Sequence, residues 1–238
     1  MSSPPPIEIV DLVHRYGERT ALDHLSLTVN TGEFLAVLGP NGGGKTTLFR
    51  ILSTLIPPQA GRVAIYGRDS ARETSEVRRE LGVVFQAPSL DKKLSVGENL
   101  SCQGRLYGLT QREIRERGGE LLERLGIADR IADRAETLSG GLKRRVEICK
   151  SLLHGPRLLL LDEPSTGLDP LARHELWKYL HALSRARRRD GRGYDAFFGR
   201  SRKRGPHRHP AWRETGGLGY ARRFARDDRW RIADITNA

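Results

Sequence analysis

The run Gly39-Pro40-Asn41-Gly42-Gly43-Gly44-Lys45-Thr46, with Thr47 behind it, constrains this chain more than any other feature. It fits the pattern G-x-x-x-x-G-K-[ST] and lies between a short apolar run, Phe34 to Leu38, and a helical stretch read from Lys45 to Leu55. Glycines here let backbone N–H groups curl round an anion with no Cβ in the way. The helix opening at Lys45 turns the positive end of its dipole toward the same point. Such a loop cradles phosphates: Lys45 reaches the β and γ groups of a triphosphate, and the Thr46 hydroxyl is placed to ligate Mg²⁺. The strand–loop–helix order is the one the pattern requires.

Periodicity along the chain agrees with an α/β fold. Ile7 to Tyr16 and Ala21 to Val29 alternate apolar and polar residues and predict strands either side of a turn at Gly17-Glu18. Phe34 to Leu38 and Leu158 to Leu161 are continuous apolar runs, as buried central strands are. Arg62 to Tyr66 and Gly82 to Phe85 read as further strands, and Leu171 to Leu183 as a helix. From Ser95 to Arg134 the pattern is helical and charged. Strands alternating with helices predict a mainly parallel core carrying a helical insertion at about 90–140.

Two further constellations bear chemistry. Leu158 to Leu161 runs into Asp162-Glu163-Pro164, so a buried strand delivers two carboxylates at its end, a Walker B pattern. Asp162 is suited to hold Mg²⁺ and Glu163 to polarise an attacking water as general base. Leu138-Ser139-Gly140-Gly141-Leu142 precedes a helical stretch, Lys143 to Leu153. Ser139 is placed to cap that helix, whose free N–H groups and dipole make a second anion site.

A Leu-Ser-Gly-Gly element between a P-loop and a Walker B strand resembles the signature of the ATP-binding cassette (ABC) ATPases, over about residues 7–184. The resemblance implies a P-loop NTPase with an antiparallel β subdomain and a helical subdomain, ATP and Mg²⁺ as ligands, and work in pairs, as a homodimer or with a paralogous ATPase subunit. It implies that Tyr16 stacks on adenine, that Gln86 touches Mg²⁺ and water and senses a transmembrane permease partner, and that Ser139, Gly140 and Gly141 meet the ATP of the other subunit. Ser165 to Asp169 resembles the loop by which each subunit reaches its mate's site. Leu142 stands where the family usually has glutamine. With Lys143-Arg144-Arg145, Leu152-Leu153-His154, Leu90-Asp91-Lys92-Lys93-Leu94-Ser95 and the run Gln103 to Leu109, it is similar to cassettes of drug-resistance and nodulation-type exporters. A soluble family member acting on DNA or ribosomes, and a nucleotide-bound regulator that does not hydrolyse, stay open as alternatives.

Composition limits the setting. No apolar run approaches the ~20 residues of a membrane-spanning helix, and two cysteines give no disulfide framework. The expected place is the cytoplasm, peripheral on the inner face of the cell membrane. The net charge of +12 is not a nucleic-acid signal, because 16 of the 41 basic residues and only 6 of the 29 acidic ones follow Ser184. Residues 1–184 are nearly balanced, and no specific nucleic-acid partner is expected.

The residues after 184 do not continue the pattern. The family resemblance calls for a strand and then a γ-phosphate histidine near position 196, where this chain has Tyr194-Asp195-Ala196 among arginines and glycines. Read one nucleotide downstream, the codons for Arg189 to Ala196 can encode Gly-Thr-Val-Val-Val-Thr-Thr-His. That is an apolar strand ending in histidine at the expected place. Residues 185–238 are therefore expected to be irregular, Arg-rich and an out-of-frame translation, with ATP turnover impaired. An Arg-rich tail that binds nucleic acid or anionic lipid is the competing reading.

Overall fold

A computed structural model describes residues 3–38, 42–190, 196–200 and 230–234. They fall into two compact units, one made from the described residues of 1–78 and 195–238, the other from 79–194.

In the first unit, β1 (Ile7–Tyr16) and β2 (Arg19–Val29) form an antiparallel hairpin. β1 also pairs antiparallel with β4 (Ala60–Ile65), which carries the two-residue β5 (Arg68–Asp69), giving the sheet order β2-β1-β4-β5. Alternation put one face of this sheet inward: Ile7, Ile9, Leu12 and Val29 are buried, while Glu8 and Thr28 pair across the ladder between them. β3 (Phe34–Leu38) belongs to a parallel ladder, between β8 (Ala196–Arg200) and β9 (Trp230–Asp234). These two short strands lie in the region expected to be irregular. A ladder bonds backbone groups, so an extended segment can join it without a strand-like side-chain pattern. The expected histidine position, Ala196, opens β8.

The helix α1 after the glycine loop runs from Lys45 to Leu52, three residues short of the predicted end. Thr54 stops it by adopting a left-handed backbone (φ 60°), from which the Leu55 N–H bonds back to the Arg50 carbonyl at 2.8 Å. Arg78, near the end of the unpredicted helix α2 (Thr74–Glu80), holds Thr54 in place by donating to its hydroxyl at 2.8 Å and its carbonyl at 3.2 Å.

In the second unit, β6 (Leu81–Val84) and β7 (Leu158–Asp162) pair in parallel. Leu158 to Leu161 are each wholly buried, as their unbroken apolar run requires. The stretch Ser95 to Arg134 is largely helical, as its pattern predicts. α3 (Val96–Leu106) and α4 (Gln111–Arg124) are separate, each opened by a capping box: Ser95 with Glu98, and Thr110 with Glu113. Gly108, in the left-handed region at φ 75°, makes the turn between them. α5 (Gly140–Leu152) and α6 (Pro170–Asp190) complete the unit. They meet where the Arg145 guanidinium lies 4.7 Å over the Tyr179 ring. Among the described residues, no helix is long and apolar enough to cross a membrane.

Candidate functional site

The glycine loop belongs to the first unit. Gly39, Pro40 and Asn41 lie outside the described residues. Gly42 and Gly44 take φ 85° and 75°, conformations that L side chains rarely adopt. At Gly44 a Cβ would run into the Ala21 carbonyl oxygen, so both backbone angle and space demand glycine there. Gly44 is the N-cap of α1 and supplies no side-chain cap. A helix start with no capping hydroxyl suits an anion, which the positive end of the dipole attracts. Lys45 and Thr47 are buried and Thr46 is exposed at the loop's mouth.

Tyr16 closes β1 with 48% of its surface exposed, a ring available for stacking. His14 packs edge-on against it, with ring centroids 4.9 Å apart at 63°. Arg19, which no motif singled out, donates to the Gly42 carbonyl at 2.8 Å and ties the start of β2 to the glycine loop. Only its charge and its place just past the turn hint at this in the sequence.

The acids and the signature belong to the second unit. Asp162 ends β7 and Glu163 follows it, 7% and 4% exposed. Glu163 is held at φ 46°, a left-handed backbone uncommon for a residue with a Cβ. Strain of this kind gathers where a side chain must be aimed. The Thr166 hydroxyl donates to Glu163 Oε2 at 3.0 Å. Gln86 lies exposed in the loop after β6. Ser139 caps α5 as its position predicted: its Oγ accepts from the Leu142 N–H at 3.3 Å. Gly140 and Gly141 form the first turn of that helix.

Sequence reasoning missed Arg144, which lies 7% exposed on α5. Its guanidinium donates to the carbonyls of Phe85 (2.6 Å), Asp162 (2.9 Å) and Pro164 (3.0 Å), and to the Glu147 carboxylate at 2.8 Å. The signature helix, the Gln86 loop and the acidic strand end therefore share one buried cation. An Arg and a Glu three apart on one helix was the available signal.

Mg²⁺ fits what these residues offer. No cluster of three or more His, Cys, Asp or Glu among the described residues forms a cage for a metal. Mg²⁺ does not require one, because it takes one or two carboxylates and completes its shell with substrate phosphates and water. Asp162, at the end of β7, is a carboxylate of that kind.

The family profile described as ABC transporter matches residues 22–166, a span that takes in the glycine loop, the Ser139 element and both acids. Over 169 residues the chain is 47% identical to the daunorubicin resistance ATP-binding protein DrrA3 of Streptomyces coeruleorubidus, covering 71% of this chain and 54% of that one. It is 40% identical over 183 residues to the Nod factor export ATP-binding protein I of Ralstonia nicotianae, covering 77% and 57%. The chain spans about half the length of these curated relatives. Among solved structures, cbiO1 of Clostridium perfringens, part of the ABC transporter complex cbiONQ, is similar at a TM-score of 0.74 and 30% identity, over 84% of this chain and 79% of that one. Profile, relatives and fold agree: this chain belongs to the ABC transporter family, and the relatives it resembles are ATP-binding proteins named for daunorubicin resistance and Nod factor export.

Proposed function

We propose that the chain is the ATP-binding and hydrolysing subunit of an exporter whose transport path lies on separate transmembrane subunits. The observation that supports this most is the buried Glu163, aimed by an unusual backbone at the end of β7 and held by Thr166. Two copies, or one copy and a paralogue, would pair head to tail. Each ATP would sit between the glycine loop of one subunit and the Ser139 helix of the other, with adenine on Tyr16. Lys45 would bind the β and γ phosphates. Thr46, Gln86 and Asp162 would hold Mg²⁺, which supplies charge neutralisation to the leaving phosphates. Glu163 would accept a proton from the attacking water.

Binding energy would close the pair and push on the permease through the groove near Gln86, and hydrolysis would reset it. The work would be done at the cytoplasmic face of the membrane. The DrrA-type and Nod factor relatives are named for resistance and export, and export is the direction we infer. Residues 185–238 are read as an out-of-frame segment lacking the γ-phosphate histidine, which would leave nucleotide binding intact and slow turnover.

The test is ATP-dependent pairing. The Glu163→Gln variant, carried in a version of the chain with the shifted frame restored from residue 185, should run as a dimer in Mg²⁺-ATP and as a monomer in ADP. A monomer under both conditions would contradict head-to-tail pairing.

A further inference from the structure

The loop that carries Gln86 is fastened at both ends to one face of α5. At its start, the Phe85 carbonyl accepts from Arg144 at 2.6 Å. At its end, the Ser89 N–H donates to Glu147 Oε1 at 2.8 Å, and the Ser89 carbonyl accepts from Lys150 Nζ at 2.6 Å. Arg144, Glu147 and Lys150 recur every third residue, so they form one ladder along the helix that Ser139 caps.

The ladder is internally braced. Glu147 receives Arg144 at 2.8 Å through its other oxygen, with side chains 8% and 5% exposed. A buried pair of this kind gives little net stability, since desolvation cancels most of its attraction; breaking one partner is costly because the other is left uncompensated. Arg144 spends its remaining donors on the Asp162 and Pro164 carbonyls, which flank Glu163. Burial lowers the half-buried Lys150 ammonium's pKa against the pull of Glu147. Every contact these side chains make with the loop is with a backbone group, so the clamp places the loop whatever its side chains do.

We infer that Arg144, Glu147 and Lys150 are positioning residues, a clamp that makes α5, the Gln86 loop and the Asp162–Pro164 strand end move as one block. A shift of the Ser139 helix on meeting the other subunit's ATP would then be delivered mechanically to Gln86 and Glu163. This role rests on the ATPase reading above, whereas the clamp itself does not.

The test uses two variants that keep the side-chain bulk. Lys150→Met removes one tie, and Glu147→Gln weakens a second while retaining a neutral acceptor for Ser89. Amide hydrogen exchange of residues 86–90 is measured with no nucleotide, and ATP affinity is measured in EDTA and in Mg²⁺. Loss of one tie should speed exchange in the loop by about tenfold while exchange across β7 holds. ATP affinity in EDTA should stay within about twofold, and the gain in affinity on adding Mg²⁺ should fall by about threefold or more. Unchanged loop exchange in both variants would overturn the clamp. Faster exchange with an unchanged Mg²⁺ effect would overturn its positioning role. A wild-type chain that fails to bind ATP would sink the ATPase reading, and this role with it, while the exchange data would still decide whether the clamp exists.

Discussion

The Thr166 hydroxyl donates to Glu163 Oε2 at 3.0 Å and fixes one oxygen of a carboxylate that the left-handed Glu163 backbone has already aimed. Glu163→Gln should lower turnover about 10²-fold or more and leave ATP affinity within about twofold, since a general base acts in the transition state. Thr166→Val should lower kcat by about three- to tenfold at unchanged KM. Steady-state phosphate release from the frame-restored protein reads both.

Gly44 has no substitute. Its φ of 75° and the Ala21 carbonyl in the path of a Cβ predict that Gly44→Ala costs about 2 kcal/mol or more of stability and distorts the phosphate cradle. Thermal unfolding should show a lowered midpoint, and ATP should no longer raise it. A midpoint like that of the unaltered chain would contradict this packing.

His154 gives the fold a pH dependence. Its ring stacks on Tyr107 with centroids 3.7 Å apart, and Nε2 donates to the Leu81 carbonyl at 3.0 Å. Burial pushes its pKa down from 6.5 to about 4. The unfolded chain therefore takes up a proton before the folded one does. Stability from the neutral ring is complete above pH 6.5, falls as the pH drops toward 4, and levels off below, a loss of at most about 3 kcal/mol. Urea unfolding at pH 7.5 and 5 should show the loss, and His154→Phe, which keeps a ring in the stack, should remove most of it.

The two thiols should differ. Cys149 is wholly buried on α5, where burial pushes its thiol far above the usual range, while Cys102 is exposed on α3. Iodoacetamide should label Cys102 in the folded protein and reach Cys149 only after denaturation. Mass spectrometry showing two labels under native conditions would contradict the packing of α5.

Much of this architecture was legible in the residues because each signal had one physical cause. The run Leu158 to Leu161 is buried on both faces, and it could only be a central strand. Ser139 reads as a cap because a serine before two glycines and a helical stretch has little else to do. What escaped was set by contacts distant in sequence. The early end of α1 depends on Arg78 gripping Thr54 from 24 residues away, which no local propensity encodes. Arg144 stands between Lys143 and Arg145 in the sequence, and its burial depends on the Phe85 carbonyl, just past β6, and the Asp162 carbonyl of β7 converging on it. The division between α3 and α4 could have been read, since Ser95-x-x-Glu98 and Thr110-x-x-Glu113 are both capping boxes written in the sequence.

The central claim is that the glycine loop holds a triphosphate through Lys45. Equilibrium binding of ATP in Mg²⁺ to the chain and to its Lys45→Ala variant tests it most directly. We predict measurable affinity in the chain and a loss of about 10²-fold in the variant, a few kcal/mol of charge-assisted contact. Equal affinity in the two proteins would contradict it.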